Sequence, residues 1–335
     1  MSSRRVHPGK NETKVTMKLV AQIAALLVAL SAPAMAAGTP TVDKDIKPYT
    51  VANGISGNLN GVGSDTLNNV MTLWAESFRK KYPSVKIGIE GKGSSTAPPA
   101  LTQGTAQLAP MSRTMKREEI AAFESKYGYK PTEIKVALDA VGFFVNKDNP
   151  IREITLKQLD SLFSSTFKRG GSDVKDWGDL GVDSLKGKSI SLYGRNSASG
   201  TNGFVKETAL KKGDFKNSVK EQPGSSAVIQ GIGSDVQGIG YSGIGYTTSN
   251  VKPLAVADGS KKAVLPTYEN CLDGSYPLSR FLVIYVNKKP GESLDPLTKE
   301  FVKFILSKEG QEIVIKDGYF PSPSKVADAD LKAIE

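Results

Sequence analysis

The chain has 335 residues, 39% of them apolar, with 44 Lys and Arg against 34 Asp and Glu and a formal net charge of +10. It carries one histidine, His7, and one cysteine, Cys271. An intramolecular disulfide is therefore excluded, and if His7 leaves with a leader, so are Ser–His–Asp, Cys–His and His-containing zinc chemistries.

Lys18 precedes an apolar run, Leu19 to Leu30, broken only by Gln22 and followed by Ser31-Ala32-Pro33-Ala34-Met35-Ala36. This pattern predicts a secretory signal peptide over residues 1–36, cut after Ala36. The run is well short of the ~20 apolar residues a spanning helix needs, and no other window approaches that length, so no membrane span is expected after cleavage. Met1 and Met17 both stay open as the start. The leader holds five basic residues and one acidic one, net +4, so the charge of the remainder falls from +10 to +6. Mild basicity suits steering of anions. The lysines are scattered, with no basic cluster set among aromatic platforms, so nucleic acid is not an expected partner. Roughly 300 remaining residues exceed what one apolar core usually holds, which favours two domains.

From Gly57 onward, strand-like runs alternate with amphipathic helices. Leu67, Val70, Met71, Trp74 and Phe78 fall on one face and predict a helix over Thr66 to Tyr82. Val85 to Ile89 alternates as a strand, and the turn Gly91 to Thr96 feeds a second helix whose first turn carries Pro98 and Pro99, where a missing N–H is harmless. Ile134 to Asn146 and Arg280 to Asn287 read as long strands able to pass between lobes, and Thr298 to Lys308 as an amphipathic helix. The pattern predicts an α/β protein with mixed or mostly parallel sheets. A central lobe, 140–280, is inserted into a discontinuous outer lobe, 37–139 with 281–335, a layout that allows hinge closure. Gly238 to Gly243 matches G-x-G-x-x-G literally, but the following β-branched stretch ending in Pro253 predicts strand and turn rather than the helix a dinucleotide site requires. Cys271, beside Leu272, reads as a small buried or half-buried side chain.

Three turns share one design. Gly61-Val62-Gly63-Ser64-Asp65-Thr66, Gly93-Ser94-Ser95-Thr96 and Ala198-Ser199-Gly200-Thr201 each set glycine and hydroxyls ahead of a helix, the last one before Phe204 to Leu210. Unpaired N–H groups and the positive end of the helix dipole make such starts suited to anions. Arg195, just upstream of the third turn, can add a bidentate fork. Each turn is also an ordinary helix cap, and spacing alone leaves both readings open.

Gly61 to Trp74, Gly93 to Leu101, Met111-Ser112-Arg113, Arg195 to Thr201 and Gly238-Ile239-Gly240-Tyr241 occur in an order and spacing that resemble the periplasmic phosphate-binding proteins of Pst-type ABC importers. The likeness runs from about Gly57 to Pro323 and is closest to the branch with Gly-Ser-Asp-Thr-Leu at the first turn. It implies a two-lobed periplasmic-binding-protein fold, type II-like, with hinge strands and an interlobe cleft. It also implies that phosphate is held by Thr66, Ser94, Arg195, Ser199, Gly200 and Thr201. Where the best-known pattern has aspartate after the second helix, this chain has Ser112 followed by Arg113, and it has Asp65 where that pattern has threonine. We therefore expect Asp65 to accept a hydrogen bond from protonated phosphate, or else to cap the Thr66 helix. Ser112 joins the set, and Arg113 is expected at the anion or paired with a carboxylate across the cleft.

The resulting expectation is a non-enzymatic, monomeric receptor without cofactor or metal, periplasmic with secretion as a further destination, that binds inorganic phosphate and delivers it to the membrane permease of an ABC importer. The alternatives are a receptor for another oxyanion such as sulfate, an exported phosphatase or Ser–Lys hydrolase using Ser199 or Ser94, and a secreted surface adhesin with a phosphate pocket.

Overall fold

The computed structural model describes residues 39–335; the leader and its cleavage point lie outside the described residues. The first units are strand β1 (Gly57–Val62), helix α1 (Asp65–Lys81) and strand β2 (Val85–Glu90), with β1 and β2 paired in parallel. Helix α1 forms where the periodicity places it. Its buried stripe is Leu67, Val70, Met71, Trp74, Ala75 and Phe78, and Arg79, Lys80 and Lys81 lie in the last turn, where cations suit the helix dipole. Each large side chain on that stripe contributes ~2–3 kcal/mol by leaving water.

A single 3₁₀ turn, Ser94–Thr96, leads into α2 (Ala97–Gln103), with its prolines in the first turn and Gly104 closing it in the left-handed region. Next come β3 (Ala109–Met111), α3 (Arg117–Tyr127) and the 15-residue strand β4 (Thr132–Asn146). The middle of the chain supplies β5 (Glu153–Thr155), α4 (Leu156–Phe163), β6 (Ser191–Arg195), α5 (Gly200–Thr208), β7 (Lys220–Gln222), α6 (Ser225–Gly233), β8 (Gly238–Gly243), β9 (Val251–Pro253), β10 (Ala255–Ala257) and α7 (Tyr268–Leu272). The last strand, β11 (Ser279–Val286), is followed by α8 (Pro296–Leu306), α9 (Lys308–Lys316) and α10 (Ser324–Ala333).

Helix α5 starts four residues before the predicted Phe204, because Gly200 and Gly203 carry no side chain to reveal the period. Helix α8 stops at Leu306 because Ser307 caps α9, its hydroxyl accepting from the Gly310 N–H. The Gly238–Gly243 stretch is a strand followed by a 3₁₀ turn, Ile244–Tyr246, so no helix stands where a dinucleotide site would need one.

Strand β4 organises the main sheet. Its first part pairs antiparallel with β11 and its second part antiparallel with β8 and β9, while β6 pairs in parallel with both β7 and β8. The sheet is thus mixed, with its long central pairs antiparallel because the chain leaves along β4 and returns along β11. Every residue of β4 from Val136 to Asn146 is buried. The apolar neighbourhood changes along it. Residues up to Ala137 pack with Trp74, Phe78, Leu282, Phe301 and Phe304, whereas Leu138 onward packs with Phe163, Trp177, Tyr241 and Leu278. On β11 the same change falls at Leu282. Cys271 sits in the second cluster, its thiol pushed up to about 12 by burial, which keeps it protonated and unreactive.

Asp317, just after α9, accepts a hydrogen bond from the Asn69 side chain, and burial pushes its carboxyl up to about 6. A carboxyl raised in the folded state favours folding while protonated and loses that advantage as pH rises through about 6. Asp317→Asn is therefore expected to leave stability unchanged below pH 4 and to raise it at pH 7.5. The gain is on the order of 1 kcal/mol after allowance for solvent screening, read from thermal melts at the two pH values.

Candidate functional site

The three glycine–hydroxyl turns converge. Main-chain bonds lock them together: Gly93 N–H donates to the Gly63 carbonyl at 2.7 Å, Ser64 N–H to the Pro110 carbonyl at 2.8 Å, and Ser95 N–H to the Ala198 carbonyl at 3.1 Å. The last of these joins the turn before α2 to the turn before α5. Two glycines are dictated by this closeness. Gly93 has φ of +104°, and a Cβ there would lie 2.6 Å from the Ala198 carbonyl oxygen; a Cβ on Gly200 would lie 2.2 Å from Ser94 Oγ.

Ser64, Thr66, Ser94, Ser112, Ser199 and Thr201 are all buried, and five of them are hydrogen-bonded as a pair and a trio. Thr66 Oγ1 and Thr201 Oγ1 are 3.0 Å apart, Ser64 Oγ donates to Ser112 Oγ at 3.0 Å, and Ser112 N–H donates to Ser94 Oγ at 3.0 Å. Ser199 is the N-cap of α5 and accepts from the Asn202 N–H. Buried hydroxyls at two helix starts form a compact set of donors, a site suited to an oxyanion.

Arg195 enters at the end of β6, fully desolvated. Its guanidinium donates to Ser225 Oγ at 2.7 Å and to the Pro223 carbonyl, and its terminal nitrogen pairs with Asp65 Oδ2 at 3.1 Å. Burial lowers the Arg195 pKa and Asp65 opposes the shift, but a guanidinium stays cationic. Arg195 Nε has no hydrogen-bond partner although it is buried. An unpartnered cationic donor in a buried site calls for an acceptor.

Asp65 is the first residue of α1 rather than its cap, which is Ser64. Its Oδ2 accepts from the Ser225 N–H at 2.9 Å, so this carboxylate sits at the start of α6 as well as beside Arg195. Two tyrosines reach the same helix start: Tyr246 donates to the Asp65 carbonyl at 3.0 Å and Tyr319 to the Thr66 carbonyl at 2.8 Å.

Of the two places expected for Arg113, the anion or a carboxylate across the cleft, it takes a carboxylate, but a nearby one. Its guanidinium is held by Glu119 in a bidentate pair, both bonds 2.7 Å, and also donates to Ser95 Oγ at 3.3 Å. Glu119 stands in the first turn of α3 and also accepts from the Lys116 N–H, so a fixed carboxylate lies within reach six residues along the chain.

Sequence reasoning overlooked a second buried pair. Arg280 on β11 stands directly opposite Asp139 on β4 and bonds to it through Nε at 2.9 Å and a terminal nitrogen at 2.8 Å. Two more of its donors reach the Ser112 carbonyl at 2.6 Å and Thr201 Oγ1 at 2.9 Å. Burial pushes the Asp139 carboxyl up against the opposing pull of Arg280. The available signal was a charge set within an apolar run of each strand, Asp139 between Val136-Ala137-Leu138 and Ala140-Val141, and Arg280 ahead of Phe281-Leu282-Val283. No cluster of metal-ligating residues occurs among the described residues, and none of their helices is long and apolar enough to cross a membrane.

This fold is that of the PBP superfamily, whose domain matches residues 36–309. The chain is 53% identical to the phosphate-binding protein PstS of Pseudomonas aeruginosa strain PAO1, over 95% of this chain and 99% of that one. It is 31% identical to the phosphate-binding protein PstS of Staphylococcus epidermidis strain RP62A, over 83% and 82%. A crystal structure of a candidate phosphate ABC transporter substrate-binding protein from Clostridium perfringens, with bound phosphate, matches at a TM-score of 0.68 and 27% identity, covering 80% of this chain and all of that one. The chain belongs to the PstS family.

Proposed function

We propose that this chain binds inorganic phosphate outside the cytoplasmic membrane and presents it to the permease of an ABC importer, without chemical change to the ligand. The observation that carries the reading is the buried donor set, with Arg195 Nε unpartnered beside hydroxyls at the starts of α1 and α5. In it, Arg195, Thr66, Ser94, Ser112, Ser199, Gly200 and Thr201 hold the phosphate oxygens and Asp65 accepts a hydrogen bond from the protonated phosphate. The names of the relatives, phosphate-binding protein PstS, support the ligand, and the bound phosphate of the Clostridium protein supports it further. The two apolar clusters act as lobes, 37–139 with 281–335 and 140–280, that close on the anion about β4 and β11. The signal peptide is cut after Ala36, and the mature protein is a periplasmic monomer.

Neither Ser94 nor Ser199 hydrogen-bonds to a lysine among the described residues, which favours binding over Ser–Lys hydrolysis. Calorimetric titration of the mature protein with phosphate, sulfate and a phosphomonoester tests the reading. Phosphate is expected to bind tightly at one site and the ester to stay intact. Absence of phosphate binding, or turnover of the ester, overturns it.

A further inference from the structure

Four of the five N–H donors of Arg280 are committed. Asp139 takes two contacts, the Ser112 carbonyl takes one and Thr201 Oγ1 takes one, while the guanidinium carbon lies 5.1 Å from the centre of the Phe204 ring. Asp139 is fixed in turn, its other oxygen accepting from the Ile244 N–H at 3.1 Å. The pair sits where β4 passes from its partner β11 to its partner β8.

A guanidinium donates and never accepts. Thr201 Oγ1 therefore accepts one bond from Arg280, which turns its proton away from the guanidinium and leaves one lone pair open. Among its described contacts the remaining one is Thr66 Oγ1, inside the hydroxyl cluster. The same polarity holds on the other side. Arg280 grips the carbonyl of Ser112, whose N–H donates to Ser94 Oγ and whose hydroxyl lies 3.3 Å from that of Ser94. One buried cation thus braces segments far apart in sequence, the Ser112 loop that holds Ser94 and Thr201 in α5.

We infer that Arg280, held by Asp139, is a positioning residue for anion binding: it fixes Thr201 Oγ1 with its proton turned away from the guanidinium and ties the start of α5 to the Ser112 loop, without touching the anion itself. The inference rests on the phosphate reading above. It favours ligands that present an acceptor oxygen to Thr201, since one of the two lone pairs of that hydroxyl is already taken by a charge-assisted bond and its proton is turned away from the guanidinium.

The test is a double-mutant cycle on phosphate affinity, using wild type, Arg280→Lys, Thr201→Val and the double variant, with the thermal midpoint of each measured without phosphate. Lysine keeps a positive charge opposite Asp139 but cannot reach Thr201 and the Ser112 carbonyl together. Arg280→Lys and Thr201→Val are each expected to weaken phosphate binding about tenfold, the scale of one hydrogen bond to a charged group. The double variant is expected to be no weaker than the weaker single variant, because Arg280 acts through Thr201. Wild-type affinity in Arg280→Lys, or losses that multiply in the double variant, overturns the inference. A purely structural role would lower the thermal midpoint in both backgrounds and give multiplying losses. If Arg280→Lys does not fold, Arg280→Gln enters the same cycle, since its amide can donate to Thr201 without a charge. Failure of the wild type to bind phosphate would sink the functional reading itself; tight wild-type binding with multiplying losses sinks the positioning role alone.

Discussion

Arg195→Ala is expected to lower phosphate affinity by about 10²–10³-fold, the ~3–4 kcal/mol that truncating one partner of a buried, hydrogen-bonded charge costs. Arg195 is 2% exposed and carries the one guanidinium nitrogen in the cluster without an acceptor, so alanine removes both the charge and the unpaired donor. It also leaves Asp65 Oδ2 with only the Ser225 N–H, and that uncompensated carboxylate repels an incoming anion.

Arg195→Lys separates the two contributions. The lysine keeps a cation near Asp65 but offers a point charge in place of a planar fork, and an intermediate loss is expected. Calorimetry on both variants, with circular dichroism to show that each is folded, reads the result. Alanine binding phosphate within a few-fold of wild type would remove Arg195 from the site.

The three turns could be read from the sequence because helix starts are local. Glycine with Ser or Thr before an apolar stripe reports its own geometry, and the converging turns lie where those patterns put them. The long strands were visible as apolar runs for the same reason. What one-dimensional pattern could not carry was register. Arg280 meets Asp139 across 141 residues, and Asp65 meets the Ser225 N–H across 160. Neither pair shares a period, a spacing or a motif. Arg113 shows the opposite reach: of the two places expected for it, the anion or a carboxylate, a carboxylate six residues along the chain, Glu119, holds it. The start of α5 was misplaced because its first turn is written in glycine and hydroxyl residues, which carry capping information but no hydrophobic period.

Asp65→Asn is expected to change which anion is held more than how stable the protein is. Asparagine preserves the shape, and its carbonyl oxygen can still accept from the Ser225 N–H and from Arg195, so the contacts at the starts of α1 and α6 survive. What disappears is a carboxylate acceptor. No hydrogen bond among the described residues reaches Asp65 Oδ1, which leaves that oxygen able to take the proton of a protonated phosphate. Sulfate has no proton to give and meets the carboxylate as a repelling charge. Sites built around a hydrogen-bonding partner reject analogues that lack it by large factors, because a buried polar group is left unsatisfied. The preference for phosphate over sulfate is therefore expected to fall by about 10²-fold in Asp65→Asn, through weaker phosphate and stronger sulfate binding together. Titrations of wild type and variant with both anions at pH 7.5 measure the ratio directly. An unchanged ratio with weaker binding of both anions would confine Asp65 to anchoring Arg195 and the start of α6, and selectivity would then have to come from the buried hydroxyls, among them Thr201, which Arg280 holds.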